Sequence, residues 1–301
     1  MKRTIASILT LCMLVTTLLS PAAFAAEMPL AQDRTSNGEL SGSCGSNVTW
    51  AVEDDHVLRI TGSGPMKDYT SNSLGIFGDI PGIGETVAVP QIRKVVIGEG
   101  VTHIGAYAFQ GLEGPPTSSE TDGNMVESIS IPGTVTSIGE SALPYSHLRE
   151  VTVTANNPVY YAEDGVLFSK TDGETELVYY PPQRTAASYQ IPDGVTTISA
   201  QMETRCRYLE SLTLPASMEN IKSGALRQWA NLDRISVIEG NQHFRSVDGV
   251  LFSRDQRVLV CYPSEKSGTH YTIPAGVAEL AEGAFFGADQ LESVDLPEGV
   301  E

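Results

Sequence analysis

Residues 191–198 read Ile191-Pro192-Asp193-Gly194-Val195-Thr196-Thr197-Ile198, and residues 273–280 read Ile273-Pro274-Ala275-Gly276-Val277-Ala278-Glu279-Leu280. Ile131-Pro132-Gly133-Thr134-Val135-Thr136-Ser137-Ile138 has the same form, and Ile97 to Ile104 repeats it without the proline. Leu214-Pro215 and Leu296-Pro297 open two further copies. The step from Ile191 to Leu214 is 23 residues, as is the step from Ile273 to Leu296. A fixed phase over so many positions marks a repeat array, in which each unit cannot fold alone and stacked units bury one core.

The physics of one unit is legible. Leu209, Leu212 and Leu214 follow L-x-x-L-x-L spacing, and Leu212 and Leu214 alternate with Ser211 and Thr213. A period of two means a strand with one buried face. The same spacing recurs at Leu148-Val151-Val153, Leu232-Ile235-Val237 and Leu291-Val294-Leu296. Proline directly after the strand stops it, because it has no N–H and a fixed φ. Glycine two residues on supplies the turn. Val195 and Ile198, like Val277 and Leu280, then face inward from the return segment.

Two longer steps hide a second unit. Residues 157–169, ending Asp164-Gly165-Val166-Leu167-Phe168-Ser169, match residues 241–253, ending Asp248-Gly249-Val250-Leu251-Phe252-Ser253. Each is followed by a Tyr-Pro pair, Tyr180-Pro181 and Tyr262-Pro263, which defines a superunit of about 83 residues. The unit reads as a hairpin inserted into the repeat, with Asp172-Gly173 as its turn. Tyr160-Tyr161 and Tyr179-Tyr180 admit two readings: sugar stacking, or packing of the hairpin on the solenoid, the latter favoured because tyrosines suit strands.

Ahead of the repeats, Lys2 and Arg3 precede an apolar run from Ile5 to Leu19 and the tripeptide Ala23-Phe24-Ala25. That pattern predicts a signal peptide over 1–25, too short for a comfortable membrane span. No other stretch is apolar enough to cross a bilayer. Residues 26–43 read as a flexible leader, and 44–90 as a capping hairpin with its connector, Trp50 and Leu58 lying against the core. Residues 91–301 form the repeat region, with a polar insert at 113–124. The last repeat opens at Leu296 without the threonine of a sortase signal, leaving open whether the chain is anchored or continues.

The chain carries 19 Lys+Arg against 37 Asp+Glu, a formal net charge of −18. Such acidity repels phosphate backbones, which argues against nucleic acid. Cys44, Cys206 and Cys261 are too few for a disulfide framework and are expected as buried apolar residues. No histidine pair stands at metal spacing. The carboxylates of Asp172-Gly173-Glu174-x-Glu176 lack a calcium-loop pattern and read as solvated turn residues. No nucleophile, base and orienting group can be named together, so no catalytic residue, cofactor or metal is expected.

The segments Ser-Gly-Ser-Cys-Gly-x-Asn-Val-Thr-Trp at 41–50 and Leu-x-Ile-Thr-Gly-Ser-Gly-x-Met-x-Asp-Tyr at 58–69, with the repeated Ile-Pro-x-x-Val-x-x-Ile-Gly-x-x-Ala-Phe, resemble the BspA-like leucine-rich-repeat family of bacteria. The resemblance implies a mainly β chain: a leucine-rich-repeat-type right-handed solenoid with one parallel sheet. Short turns or 3-10 segments would form the return side, with β-hairpin insertions and an N-terminal hairpin cap. It also implies a secreted or cell-surface adhesin that binds a protein partner, of host matrix or another cell. A carbohydrate- or wall-associated module is the alternative, and the non-catalytic part of a larger secreted enzyme a more distant one. The expected ligand surface is the exposed face of the strands, where Ser128, Ser130, Glu150, Thr152, Ser211, Thr213, Arg234, Ser236, Ser293 and Asp295 alternate with buried residues. Small hydroxyls also suit any solvated strand face, so that row is equally compatible with plain scaffold.

Overall fold

The computed structural model describes residues 40–53, 55–78, 91–113, 126–144, 147–199, 206–227 and 229–300. The signal peptide expected over 1–25, most of the leader and nearly all of the insert at 113–124 lie outside the described residues.

The chain enters through β1 (Ser41–Gly45), β2 (Val48–Val52) and β3 (Val57–Gly62), an antiparallel meander. Strand β1 starts inside the stretch read as leader, pairing Ser41 with Ala51, and carries Cys44 into the core. Trp50 and Leu58 are buried as the alternation requires, and Trp50 meets Phe77 edge-on with ring centroids 5.0 Å apart. Next come β4 (Gly64–Pro65), β5 (Lys94–Ile97), β6 (Val101–Ile104), β7 (Ser128–Ile131), β8 (Ser137–Ile138) and β9 (Glu150–Val153). Strands β3, β5, β7 and β9 pair in parallel. Strands β4, β6 and β8 form a second parallel ladder on the return side. The return side was expected as turns or 3-10 segments, and 3-10 turns do occur at Gly75–Phe77 and Gln110–Glu113. Stacked coils bring the Val-x-x-Ile backbones side by side, and buried N–H and C=O groups need partners, so short strands pair there.

The hairpin unit follows as β10 (Tyr160–Glu163), β11 (Val166–Thr171) and β12 (Glu174–Tyr179), antiparallel throughout. Both turns are Asp-Gly with positive φ at both residues, 55° and 76° at Asp164-Gly165 and 53° and 85° at Asp172-Gly173. That is the geometry which matches strand twist in a two-residue hairpin. Val166, Leu167 and Phe168 are all fully buried. A continuous apolar run in a strand means burial on both faces. Leu167 faces the core containing Leu148 and Val151, while Val166 and Phe168 face the next one, with Ile191 and Leu212. The hairpin is therefore a wall between two core compartments, not an insertion resting on a finished solenoid. A register slip between Leu167 and Phe168 lets Tyr179 join the first compartment and Leu177 and Tyr180 the second.

Strands β13 (Ser188–Gln190), β14 (Thr197–Ile198), β15 (Ser211–Leu214), β16 (Asn220–Ile221) and β17 (Arg234–Val237) resume the coils. Here β13, β15 and β17 pair in parallel, and β12, β14 and β16 make the return ladder. The second hairpin unit, β18 (Phe244–Val247), β19 (Val250–Ser253) and β20 (Val258–Cys261), repeats the first. It slips register at Leu251 and Phe252 and sends Leu251 into one compartment and Val250 and Phe252 into the next. Strands β21 (His270–Thr272), β22 (Glu279–Leu280) and β23 (Ser293–Asp295) close the chain, with β20 paired to β22 and β21 to β23.

Leu212, Leu214, Val195 and Ile198 are buried as the repeat pattern demands. Each hairpin is fastened to the preceding coil by an asparagine, buried at Asn241 and half-buried at Asn157. Asn241 Nδ2 donates to the carbonyls of Pro215 and Met218 at 2.9 and 2.8 Å, and its Oδ1 accepts from the N–H groups of His243 and Phe244 at 2.8 and 2.7 Å. Asn157 makes the same four bonds to Pro132, Val135, Val159 and Tyr160. Cys44, Cys206 and Cys261 are in the thiol form, not in a disulfide. Burial pushes the thiols of Cys44 and Cys261 up to about 12, although Cys261 as a residue is only half-buried.

Candidate binding surface

The exposed side chains of the parallel strands line up in rows because each ladder is in register. Lys94, Ser128 and Glu150 form one row across β5, β7 and β9, with Val96, Ser130 and Thr152 in the next. Ser188, Ser211 and Arg234 form a row across β13, β15 and β17, beside Gln190, Thr213 and Ser236. On β21 and β23, His270 pairs with Ser293 and Thr272 with Asp295. Neighbours within a row stand about 4.8 Å apart.

The rows do not join into one ribbon. The single parallel sheet expected from the sequence is replaced by three parallel segments, β3-β5-β7-β9, β13-β15-β17 and β21-β23. The hairpin tips make the breaks. The Gly165 carbonyl accepts the Val151 N–H at 2.9 Å, and the Gly249 carbonyl accepts the Ile235 N–H at 2.9 Å. Each tip is held by a cation four residues after the hairpin tyrosine. Arg184 donates to the Asp164 carbonyl and lies 3.7 Å from its carboxylate. Lys266 Nζ donates to the Asp248 carbonyl at 2.7 Å and lies 3.1 Å from its carboxylate. The exposed strand face is thus three patches divided by two Asp-Gly tips.

Of the expected ligand residues, Glu150, Thr152, Arg234, Ser293 and Asp295 are exposed, and Ser128, Ser130, Thr213 and Ser236 are half-buried. Ser211 departs from expectation: it is buried at 9 % exposure. It is a short side chain on the central strand, between Ser188 and the longer Arg234. Lys94, Ser188 and His270 belong to the same rows and were not among the expected residues. Extending the strand alternation back from Ile97 and Gln190 would have found the first two. His270 engages both partners on β23, Nδ1 lying 2.8 Å from Ser293 Oγ and Nε2 3.2 Å from Asp295 Oδ2. The patches mix signs, with Arg93 paired to Glu127 at 2.9 Å and Arg234 to Asp233 at 3.3 Å.

Elsewhere the polar side chains serve as fastenings. The carboxylates after Asp172-Gly173 are occupied: Glu174 accepts from the Thr197 hydroxyl at 2.8 Å and Glu176 pairs with Lys222 at 2.6 Å. On the return ladder, His103 lies between Ser137 Oγ at 2.7 Å and Asp68 Oδ1 at 3.1 Å. Asp68 is also spent on the Ala106 N–H at 2.8 Å. That bond first, and His103 second, hold its carboxyl below the usual range. No group of three His, Cys, Asp or Glu side chains among the described residues is placed to hold a metal ion. No helix among them is long and apolar enough to cross a membrane.

The model of the BspA type leucine-rich repeat region matches residues 120–167, 183–257 and 260–301, in 6 copies, which is more than half of the chain. The chain belongs to this BspA-type family. No curated protein matches it. Among solved structures, a leucine-rich repeat protein from Eubacterium ventriosum ATCC 27560 is similar at TM-score 0.54 and 24% identity, over 87% of this chain. The chain spans 61% of that protein. A leucine-rich cell surface protein from Faecalibacterium prausnitzii A2-165 aligns at TM-score 0.45 and 20% identity, over 87% of this chain and 89% of that one. The pneumococcal vaccine antigen PcpA aligns at TM-score 0.45 and 18% identity, over 85% of this chain and 70% of that one. The first likeness shows the fold: a mainly β leucine-rich-repeat scaffold of parallel strands.

Proposed function

We propose that this BspA-type chain is a secreted or cell-surface binding protein that holds a protein partner, of host matrix or another cell, on the exposed face of its parallel strands. The observation that carries the reading is the register. Ser128 with Glu150, Ser130 with Thr152, Thr213 with Ser236 and the His270–Ser293 pair stand in aligned rows of polar side chains, most of them short hydroxyls. Short side chains let a partner approach the sheet closely, and a wide area compensates for weak single contacts. Repeat scaffolds commonly bind through such extended surfaces.

The residues at 1–25 fit export, and a net charge of −18 favours solubility outside the cell while repelling nucleic acid. The meander from β1 to β3 serves as the cap over the first coil, and the chain is a scaffold and not a catalyst. The test replaces Thr152, Thr213 and Ser236 together with lysine and confirms the fold by circular dichroism. Adhesion to a matrix preparation that the unaltered protein binds should fall. Adhesion that survives there but disappears when the 113–124 insert or the Tyr179 hairpin is altered would move the site onto the insertions.

A further inference from the structure

A different surface carries its own chemistry. Leu177, Ile198 and Ile221 of the return ladder point into the core, so Glu176 and Lys222 beside them face outward, while Ser199 is buried. On that side a cleft of about 330 Å³ opens where β8 gives way to β12, with Ile138 and Val178 on its walls. Tyr160, Ser169, Glu176, Ser199 and Lys222 complete its lining.

Lys222 Nζ lies 2.6 Å from Glu176 Oε1, with 44 % and 20 % of the two side chains exposed, so the pair is reachable from solvent. Its two charges cancel, and the acidity of the surrounding chain discourages anions. What remains is an array of hydrogen-bonding groups: a carboxylate that accepts, an ammonium that donates, and serine hydroxyls that do both. Tyr160 is half-buried against the first core compartment and contributes to the cleft lining.

The scaffold does not require polar residues at the positions of Tyr160, Glu176 and Ser199. The same break recurs one superunit on, where β16 gives way to β20, and leaves a cleft of about 260 Å³. There Ile221, Val260 and Ala281 stand in the places of Ile138, Val178 and Ser199, and the lining also holds Cys261, Phe286 and the polar Lys222, Ser223, Arg227, Glu279 and Glu282. By sequence, Phe244 and Val258 replace Tyr160 and Glu176. The positions of Tyr160, Glu176 and Ser199 are thus apolar one superunit on, and the charged side chains of the second cleft come from other places in the fold.

We propose that the Tyr160–Glu176–Lys222 cleft binds one residue of a neutral sugar, its hydroxyls on Glu176, Lys222 and Ser169 and its apolar face on the Tyr160 ring. Its size falls at the lower end of small-ligand sites, about 300–1,000 Å³. The site is separate from the strand face proposed for a protein partner. The experiment is saturation-transfer NMR on the full chain with glucose, galactose and N-acetylglucosamine, and with glucuronate as the charged comparison. At least one neutral sugar should bind, more tightly than glucuronate. Glu176→Gln and Ser169→Ala should each weaken it about tenfold, the loss of one hydrogen bond. Should Glu176→Gln fail to match the unaltered protein by circular dichroism, Lys222→Met takes its place. The Thr152, Thr213 and Ser236 variant should keep the sugar signal, so failure of protein adhesion and failure of this site read out separately. Binding of no neutral sugar, preference for glucuronate, or binding indifferent to these cleft substitutions would overturn the proposal.

Discussion

The carbonyl of Gly249 accepts the Ile235 N–H at 2.9 Å and so occupies the position where the next parallel strand would pair. Gly249 has φ of 79°, and a Cβ there would meet the Arg234 Cβ at 3.0 Å. Gly194 has φ of 87° with nothing within 4 Å of such a Cβ. Alanine at Gly194 therefore meets only left-handed strain, costing about 1–2 kcal/mol. Alanine at Gly249 meets the same strain plus a contact with the strand it terminates. Urea unfolding should show Gly249→Ala as the more destabilised variant. Equal losses at the two sites would mean the tip yields freely and does not hold the sheet break.

Asn241 is buried at 1 % exposure, with two donors and two acceptors satisfied by backbone. Asn241→Ala orphans the His243 and Phe244 N–H groups and two carbonyls, and should cost about 3 kcal/mol, set by the few groups that water cannot reach. Asn241→Asp keeps the acceptor but turns a carboxylate toward the Pro215 and Met218 carbonyls. Ionised, it should destabilise; protonated, it can donate one bond again. Thermal melts of Asn241→Asp should therefore improve from pH 7 to pH 4 relative to the unaltered protein. A parallel pH dependence in both proteins would contradict the assigned bonds.

Acid should loosen the first return ladder through Asp68. Its carboxyl is held below its ordinary 3.8 by the Ala106 N–H first and His103 second. A carboxylate with a depressed folded pKa contributes stability above its unfolded value and loses it as pH falls through the folded one. Its contribution is thus complete above about pH 4 and fades below. The side chain is 68 % exposed, so solvent screening keeps that contribution small. Carbon-detected NMR titration of Asp68 should find a low midpoint that moves only part of the way back in His103→Asn, because the larger cause is the backbone bond. Full return to the ordinary value would assign the shift to His103 instead.

The coil-level fold was legible because Ile-Pro-x-Gly-Val-x-x-Ile carries strand, stop, turn and inward return in eight residues, and local alternation decides which face is buried. Leu212, Leu214, Val195 and Ile198 needed nothing further. The triple Val166-Leu167-Phe168 also stood in plain view, and a run without alternation signals burial on both faces. Which two compartments it divides depends on the coils before and after it, information no local pattern contains. The same holds for the sheet breaks. Gly165 and Gly249 read as turns, but that their carbonyls would intercept Val151 and Ile235 is a matter of tertiary placement. Of the ligand rows, the alternation gave the facing and the register gave the neighbours. Ser211 was misread because exposure depends on the side chains flanking it across strands.

On the proposed binding face, the tips would also decide how a partner engages. Glu150 and Thr152 end the first patch, Arg234 and Ser236 end the second, and the Asp164-Gly165 and Asp248-Gly249 turns stand beyond them. A partner seated within one patch feels only that patch. A partner long enough to cross a tip feels two, and its losses from substitutions in separate patches should add, because sites more than about 7–10 Å apart with no shared partner usually do. Thr152→Lys and Thr213→Lys should therefore be made singly and together, with surface plasmon resonance against the matrix component that the unaltered protein binds. A bound surface spanning the Asp164 tip predicts measurable weakening from each and their sum in the double variant. Weakening from one alone confines the partner to a single patch. No weakening from either, nor from the double variant, would remove the first two patches from the binding face.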